Sequence, residues 1–183
     1  EPLWVESRRF GALDGALLNT SYGTGKVFLV LHEPVPGGDS AAMQGGMVEL
    51  PIAPFPTGVM RGRFRASDGA LYLAGMFAWA GDAVQPGGLY RLRATGRPPR
   101  LPIALHATKR GLKLTFTDPL DPAAVDAHAF QVKVWSLKRS ANYGSPHLDE
   151  HSLQVTQARL AADKKSVFLN IAELQPTWCM EIK

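Results

Sequence analysis

Apolar and polar residues alternate along most of this chain in short runs, and the periodicity of amphipathic helices is nearly absent. In the first half, such runs cover residues 16–22, 26–32, 46–50, 59–64, 70–76 and 87–93. Glycine-bearing segments separate the runs, and Asp68-Gly69 favours the positive φ angles of a tight hairpin turn. Because alternation places successive side chains on opposite faces of a strand, this pattern predicts antiparallel β-structure.

The second half follows the same pattern beyond a proline-bearing linker at residues 95–100. Alternating runs cover residues 112–117, 130–134, 153–155, 166–171 and 180–182, with a long insert at residues 135–152. Asp121 and Pro122 suit the cap and the first position of a short helix over residues 122–127. About six strands in roughly 85 residues is the rhythm of a β-sandwich.

The composition is that of a globular protein, and it excludes several function classes. Of the 183 residues, 45% are hydrophobic and 20% are charged, and the net charge is +4. The single cysteine, Cys179, excludes an internal disulfide, a cysteine zinc cage and a C-x-x-C-H haem attachment site.

The distribution of charge argues against two classes of partner. Arginines recur with a period of two at positions 61, 63 and 65 and at 91 and 93, which favours solvated strand faces over a nucleic-acid-binding stripe. The longest charge-free stretch, residues 70–81, is shorter than the ~20 residues that a membrane-spanning helix needs. The sequence therefore predicts neither a nucleic-acid partner nor a membrane span.

Two resemblances to known families extend the fold prediction. The second half resembles a bacterial immunoglobulin-like (Ig-like) domain in residues 114–122, 130–132 and 160–169. The first half resembles the final blades of a glucose/sorbosone-dehydrogenase-like β-propeller in residues 21–23, 58–62, 68–72 and 87–91. The predicted fold class is all-β, with partial β-propeller-like antiparallel sheets in residues 1–97 followed by an Ig-like β-sandwich in residues 98–183.

The propeller resemblance also implies a setting. Such propellers accompany c-type cytochrome domains in large secreted bacterial proteins, which implies a periplasmic or extracellular location. Because the sequence shows no catalytic constellation and matches only part of a propeller, we expect a non-catalytic structural or interaction segment at the C-terminal end of a larger protein, with the remaining propeller blades or a partner subunit as its partners. The alternative is a scaffold part of a periplasmic redox assembly of the sugar-dehydrogenase type. No cofactor is expected in this chain, whereas haem c or a quinone is the cofactor expected in the parent protein.

Aromatic residues in irregular segments predict a further alternative, a carbohydrate-binding module. The candidate ligand-binding residues are Trp79, Trp135, Asn142 and Tyr143. Aromatic rings stack on the C–H faces of sugars while neighbouring amides and hydroxyls bind the sugar hydroxyls. The same aromatics also suit a purely structural role, in which they pack at the junction of the two β units.

One short motif raises the question of a metal. The string from His147 to His151 fits the pattern H-x-x-E-H, in which two histidines on one helix face bind zinc. Ser145 and Pro146 suit the start of a short helix that would place His147 and His151 four residues apart on one face. This predicts a surface divalent-metal site at the two histidines, and the alternative is a solvated polar insert between strands.

Overall fold

A computed structural model describes residues 1–35, 42–77 and 85–183, and it confirms that the protein is all-β with antiparallel sheets. Contacts between Cα atoms divide the chain into two compact units, Glu1–Leu105 and His106–Lys183. The sequence predicts a boundary at residues 97/98, between a propeller-like and an Ig-like part, and that boundary stays a prediction. In the part of the chain that the structure describes, no helix has the length and apolar character needed to cross a membrane.

The first unit contains two sheets whose strands follow one another in chain order. The four-stranded sheet consists of β1 (Pro2–Trp4), β2 (Leu17–Thr20), β3 (Val27–Pro34) and β4 (Met43–Glu49). The three-stranded sheet consists of β5 (Gly58–Phe64), β6 (Leu71–Met76) and β7 (Gly87–Leu92). The hairpin predicted at Asp68-Gly69 is confirmed, because Gly69 adopts a positive φ of +63° at the β5–β6 turn. Gly25 adopts a similar φ of +64° at the β2–β3 turn.

The core of the first unit lies between these two sheets. Leu18 and Leu29 contribute from the first sheet, and Leu71 and Leu73 contribute from the second. All four are buried, since the alternation of each strand directs every second side chain inward. A 3₁₀ segment, Arg8–Leu13, adds the Phe10 ring to the edge of this core.

The second unit also contains two sheets. Its strands are β8 (Pro102–Thr108, which contains the boundary between the units), β9 (Gly111–Phe116), β10 (Val132–Ser136), β11 (Leu148–Leu153), β12 (Val155–Leu160), β13 (Ser166–Ile171) and β14 (Cys179–Ile182). One sheet has the order β12-β13-β9-β8 and the other has the order β11-β10-β14. Alternating buried residues, such as Leu112 and Leu114 in β9 and Val132 and Val134 in β10, show that each sheet buries one face.

Two sequence-based expectations in the second unit need correction. The predicted helix over residues 122–127 consists of two 3₁₀ turns, Pro122–Ala124 and Ala127–Ala129. The predicted cap is confirmed, since the Asp121 carboxylate accepts a hydrogen bond of 3.0 Å from the Ala123 N–H. The predicted insert contains an unexpected strand, β11, at an edge of its sheet. Its Asp-Glu-His-Ser centre is exposed and therefore lacks the apolar alternation that a half-buried strand shows.

Candidate functional site

An apolar row crosses the face of the first sheet that points away from the core. The antiparallel register places Trp4 opposite Leu17, Leu17 opposite Val30, and Val30 opposite Met47. Their chain neighbours Leu18 and Leu29 are buried in the core, so these four side chains lie on the other side of the pleat. We call this set the outer row. Trp4 is 53% exposed and Met47 is 64% exposed, which leaves large apolar surface in contact with water.

Further apolar residues lie on the same side of the sheet as the row, together with Asn19 and His32. The outer face, as we define it, comprises Trp4, Leu17, Phe28, Val30, Met43 and Met47. The His32 ring meets the Trp4 ring edge to face, with 6.2 Å between the ring centroids. The carboxylate of this face, Glu49, is neutralised by Lys26 at 2.8 Å. The centre of the face is therefore apolar and its charge lies at one margin.

The second sheet of the same unit presents a different chemistry on its outward side. Arg63 lies opposite Tyr72, and Tyr72 lies opposite Arg91, so two arginines occupy the positions on either side of one tyrosine across three strands. Arg61 and Arg63 approach the Glu1 carboxylate at 3.9 and 3.3 Å. These arginine side chains are exposed, as the period-two spacing predicts. An apolar partner surface consequently fits the outer face of the first sheet and not the arginine-bearing side of the second.

The structure describes three of the four predicted sugar-binding residues. Trp79 lies outside the described residues. Asn142 and Tyr143 belong to the loop at residues 137–147, where the Tyr143 side chain is 101% exposed. Trp135 lies in β10, and its ring stacks on the His147 imidazole with 4.2 Å between centroids. A sugar-binding role of these residues stays a prediction.

The helical geometry behind the predicted metal site is wrong. His147 precedes β11 and His151 lies within it, so extended backbone and not a helix turn separates the two imidazoles. His147 Nδ1 donates to the Glu150 carboxylate, and His151 Nδ1 donates to the Asp149 carbonyl at 2.8 Å. Within residues 1–35, 42–77 and 85–183, no three His, Cys, Asp or Glu side chains converge as metal ligands would. Metal binding at the two histidines stays a prediction.

The same residues form a charged cluster on β10 and β11. The Glu150 carboxylate accepts from His147 and also pairs with the Lys133 ammonium at 2.9 Å. Hydrogen bonds from these two partners hold the pKa of Glu150 below its usual value, and the bond from His147 has the larger effect. The hydrogen bond to Glu150 in turn raises the pKa of Lys133. The cluster therefore favours ionised Glu150, and it joins the strand β10 to the edge strand β11.

Replacing Glu150 by glutamine is expected to make the stability of the second unit less sensitive to acid. Since the native pKa lies below the unfolded one, ionised Glu150 stabilises the fold above its unfolded pKa of about 4.3, and this stabilisation disappears as the pH falls through the native pKa. Urea midpoints at about pH 7 and about pH 3 measure the effect. Glu173→Gln is the control, because it removes an exposed carboxylate without a partner among the described residues. Its urea midpoint should fall between the two pH values as much as that of the unsubstituted protein. An equal fall of the urea midpoint on acidification in both variants would contradict the prediction.

The outer row could not be found from the sequence, because its members come from four separate strands and β1 is only three residues long. The exposed methionines of β4 are a weak signal of it, since Met43 and Met47 lie on one side of a strand that is otherwise rich in glycine. No family model, no curated protein and no solved structure matches this chain.

Proposed function

We propose that this chain is a non-catalytic structural and interaction segment whose first sheet packs, through its outer face, against a further antiparallel β-sheet. The outer row is the observation that carries this proposal. Large exposed apolar patches on folded proteins mark interaction surfaces, because water contact with such surface is unfavourable. Here the patch spans all four strands of a sheet whose other face is already buried.

A second sheet is the partner whose shape and chemistry suit this face. Packed sheets interdigitate rows of apolar side chains at a separation of about 10 Å. The buried face of the same sheet shows such packing, since Leu18 and Leu29 meet the core residues Leu71 and Leu73 of the second sheet. The outer face repeats this chemistry with Leu17 and Val30 at its centre. A charged or polar surface would leave these side chains without complementary contacts.

The propeller resemblance supplies the expected source of the partner sheet. A propeller blade is a four-stranded antiparallel sheet that packs face to face with neighbouring blades. The order β1-β2-β3-β4 in chain sequence supports the assignment of the first sheet as a blade. We therefore propose further blades of the parent protein, or an equivalent sheet of a partner subunit, as the occupant of the outer face.

The strand order of the second unit supports an Ig-like sandwich. In an Ig domain, strands A, B, E and D form one sheet, and strands C and F lie in the other with C′ beside C. Lettered in chain order, the sheet β12-β13-β9-β8 reads D-E-B-A, and the sheet β11-β10-β14 reads C′-C-F. We propose this unit as the Ig-like part of the segment. A redox assembly with haem c or a quinone elsewhere stays a prediction.

A photoreactive amino acid at position 47 of the complete native protein tests the interaction. We expect it to crosslink to peptides of other blades or of a partner subunit, because Met47 lies in the outer row. Thr24, in the exposed β2–β3 turn, is the matched control position on the same sheet and should crosslink far less. Crosslinks to residues 1–183 of a second copy, or equal yields at both positions, would refute the proposed partner. Turnover of a substrate by the isolated chain would contradict the non-catalytic assignment.

A further inference from the structure

A cleft of 230 Å³ lies in the second unit. It is formed by the end of β10, the strand β11 and the segment that leads into β14. Polar and aromatic side chains line it, among them Trp135, Ser136, Asp149, Glu173, Gln175 and Trp178. This volume is below the roughly 300–1,000 Å³ of pockets for drug-sized ligands, so the cleft suits a ligand of about one ring.

Several polar side chains of this cleft have no hydrogen-bond partner among the described residues, although His151 and Thr177, which also line it, are hydrogen-bonded. Among the described residues, the carboxylates without a hydrogen bond or ion pair are those of Glu6, Asp149 and Glu173. Two of these three line the cleft. The Gln175 amide and the Ser136 hydroxyl likewise have no partner among the described residues. The cleft therefore concentrates free donors and acceptors.

The aromatic component of the cleft is equally available. The Trp178 side chain is 74% exposed and has no ring contact among the residues that the structure describes. Trp135, by contrast, already stacks on His147. An exposed indole offers an apolar face for stacking and one N–H donor at its edge. Trp178 is thus the ring most accessible to a ligand in this cleft.

The backbone holds both acidic residues in conformations that non-glycine residues rarely adopt. Asp149 has a φ of +53° and Glu173 has a φ of +57°. Asp149 also anchors His151 through its carbonyl oxygen at 2.8 Å. Asp149 lies in β11 and Glu173 in the turn that follows β13.

We infer that this cleft binds a neutral sugar unit, with its ring stacked on Trp178 and its hydroxyls bonded to Asp149, Glu173 and Gln175. A sugar needs both donors and acceptors, and the amide, hydroxyl and carboxylate groups supply both. An organic cation fits less well, because Asp149 and Glu173 are exposed and ionic attraction at exposed sites is weak. An anionic sugar fits less well again, since no lysine or arginine lines the cleft. This inference concerns the second unit and does not depend on the proposed role of the outer face.

Titration of the 183-residue chain with methyl glycosides of glucose, galactose and mannose and with N-acetylglucosamine tests the inference. Tryptophan fluorescence and NMR should report millimolar binding of at least one of them. Trp178→Ala should weaken that binding about tenfold, and Glu173→Gln should weaken it several-fold, because each removes one class of contact. Glucuronate and choline are the anionic and cationic probes, and both should bind more weakly than the neutral sugar.

Matched variants separate this site from the outer face. Glu6→Gln removes the other uncommitted carboxylate, and Trp4→Ala removes the exposed ring of the outer row; neither should change sugar binding. Trp178 and Glu173 are both exposed, so their replacement should leave the circular dichroism spectrum unchanged. Absence of binding by every neutral sugar at about 50 mM would overturn the inference. Binding unaffected by both cleft variants, or binding of choline alone, would overturn it as well.

Discussion

Replacement of Leu73 by alanine should lower the free energy of unfolding of the first unit by about 2–5 kcal/mol. Leu73 lies in β6, the central strand of its sheet, and 0% of its side chain is exposed. Its Cδ2 atom covers the backbone of Gly62, where an added Cβ would lie only 2.9 Å away. Because the strands on both sides of β6 are held by backbone hydrogen bonds, the space that the missing atoms leave cannot readily close.

Leu89→Ala is the matched control, since this leucine lies on the neighbouring strand β7 but is 74% exposed. Its replacement should change the unfolding free energy by no more than about 0.5 kcal/mol. Urea unfolding followed by the backbone amides of β5, β6 and β7 measures both variants in the same unit. Similar losses for the two leucines would show that the core does not lie where the structure places it.

Replacement of Gly111 by alanine should destabilise the second unit by about 3 kcal/mol or more, the combined cost of a steric clash and of an unfavourable backbone conformation. Gly111 begins β9 and pairs with Asn170 of β13. Its φ is +149°, and a Cβ built on it would overlap the carbonyl oxygen of Leu169. A backbone atom cannot rotate away as the end of a side chain can, so the two strands would have to separate.

Gly144→Ala separates the two contributions. Gly144 also has a positive φ, +81°, but a Cβ there would meet nothing within 4 Å. Its replacement should therefore cost only about 1 kcal/mol, the conformational part of the effect. Denaturation midpoints, together with amide exchange in β9 and β13, give the comparison. If both glycine variants lost the same stability, close packing of β9 on β13 would not be the reason for the glycine at position 111.

Much of the strand content was predictable because the signals are local. Alternation identifies β3 and β13, and the Asp68-Gly69 turn identifies the β5–β6 hairpin, since each depends on residues close together in the chain. The strands that sequence reasoning missed are short or lie at edges. β1 is three residues long, and β11 is exposed over its central four residues, so neither shows the periodicity of a half-buried strand.

The candidate sites were less predictable than the strands. Trp135 lines the cleft, as a sugar-binding prediction requires, but Trp178 and Glu173 were not part of that prediction. They come from the segment before β14, about 40 residues beyond Trp135, and no local pattern links the two regions. The predicted pair His147 and His151 shows the opposite failure. A four-residue spacing was interpreted as helical, whereas the pairing of β11 with β10 makes it extended.

The sequence by itself determined which side chains share a face within each strand, because a period of two places Leu17 and Leu18 on opposite faces of β2 and Leu29 and Val30 on opposite faces of β3. It also determined where the chain turns, through glycine and Asp-Gly. Only the tertiary structure decided which strands pair and in what register. Register depends on hydrogen bonds between residues distant in the chain, and it aligns Trp4 with Met47 across the first sheet. Folding of the second unit likewise brings Asp149 of β11 and Glu173, which follows β13, to one cleft.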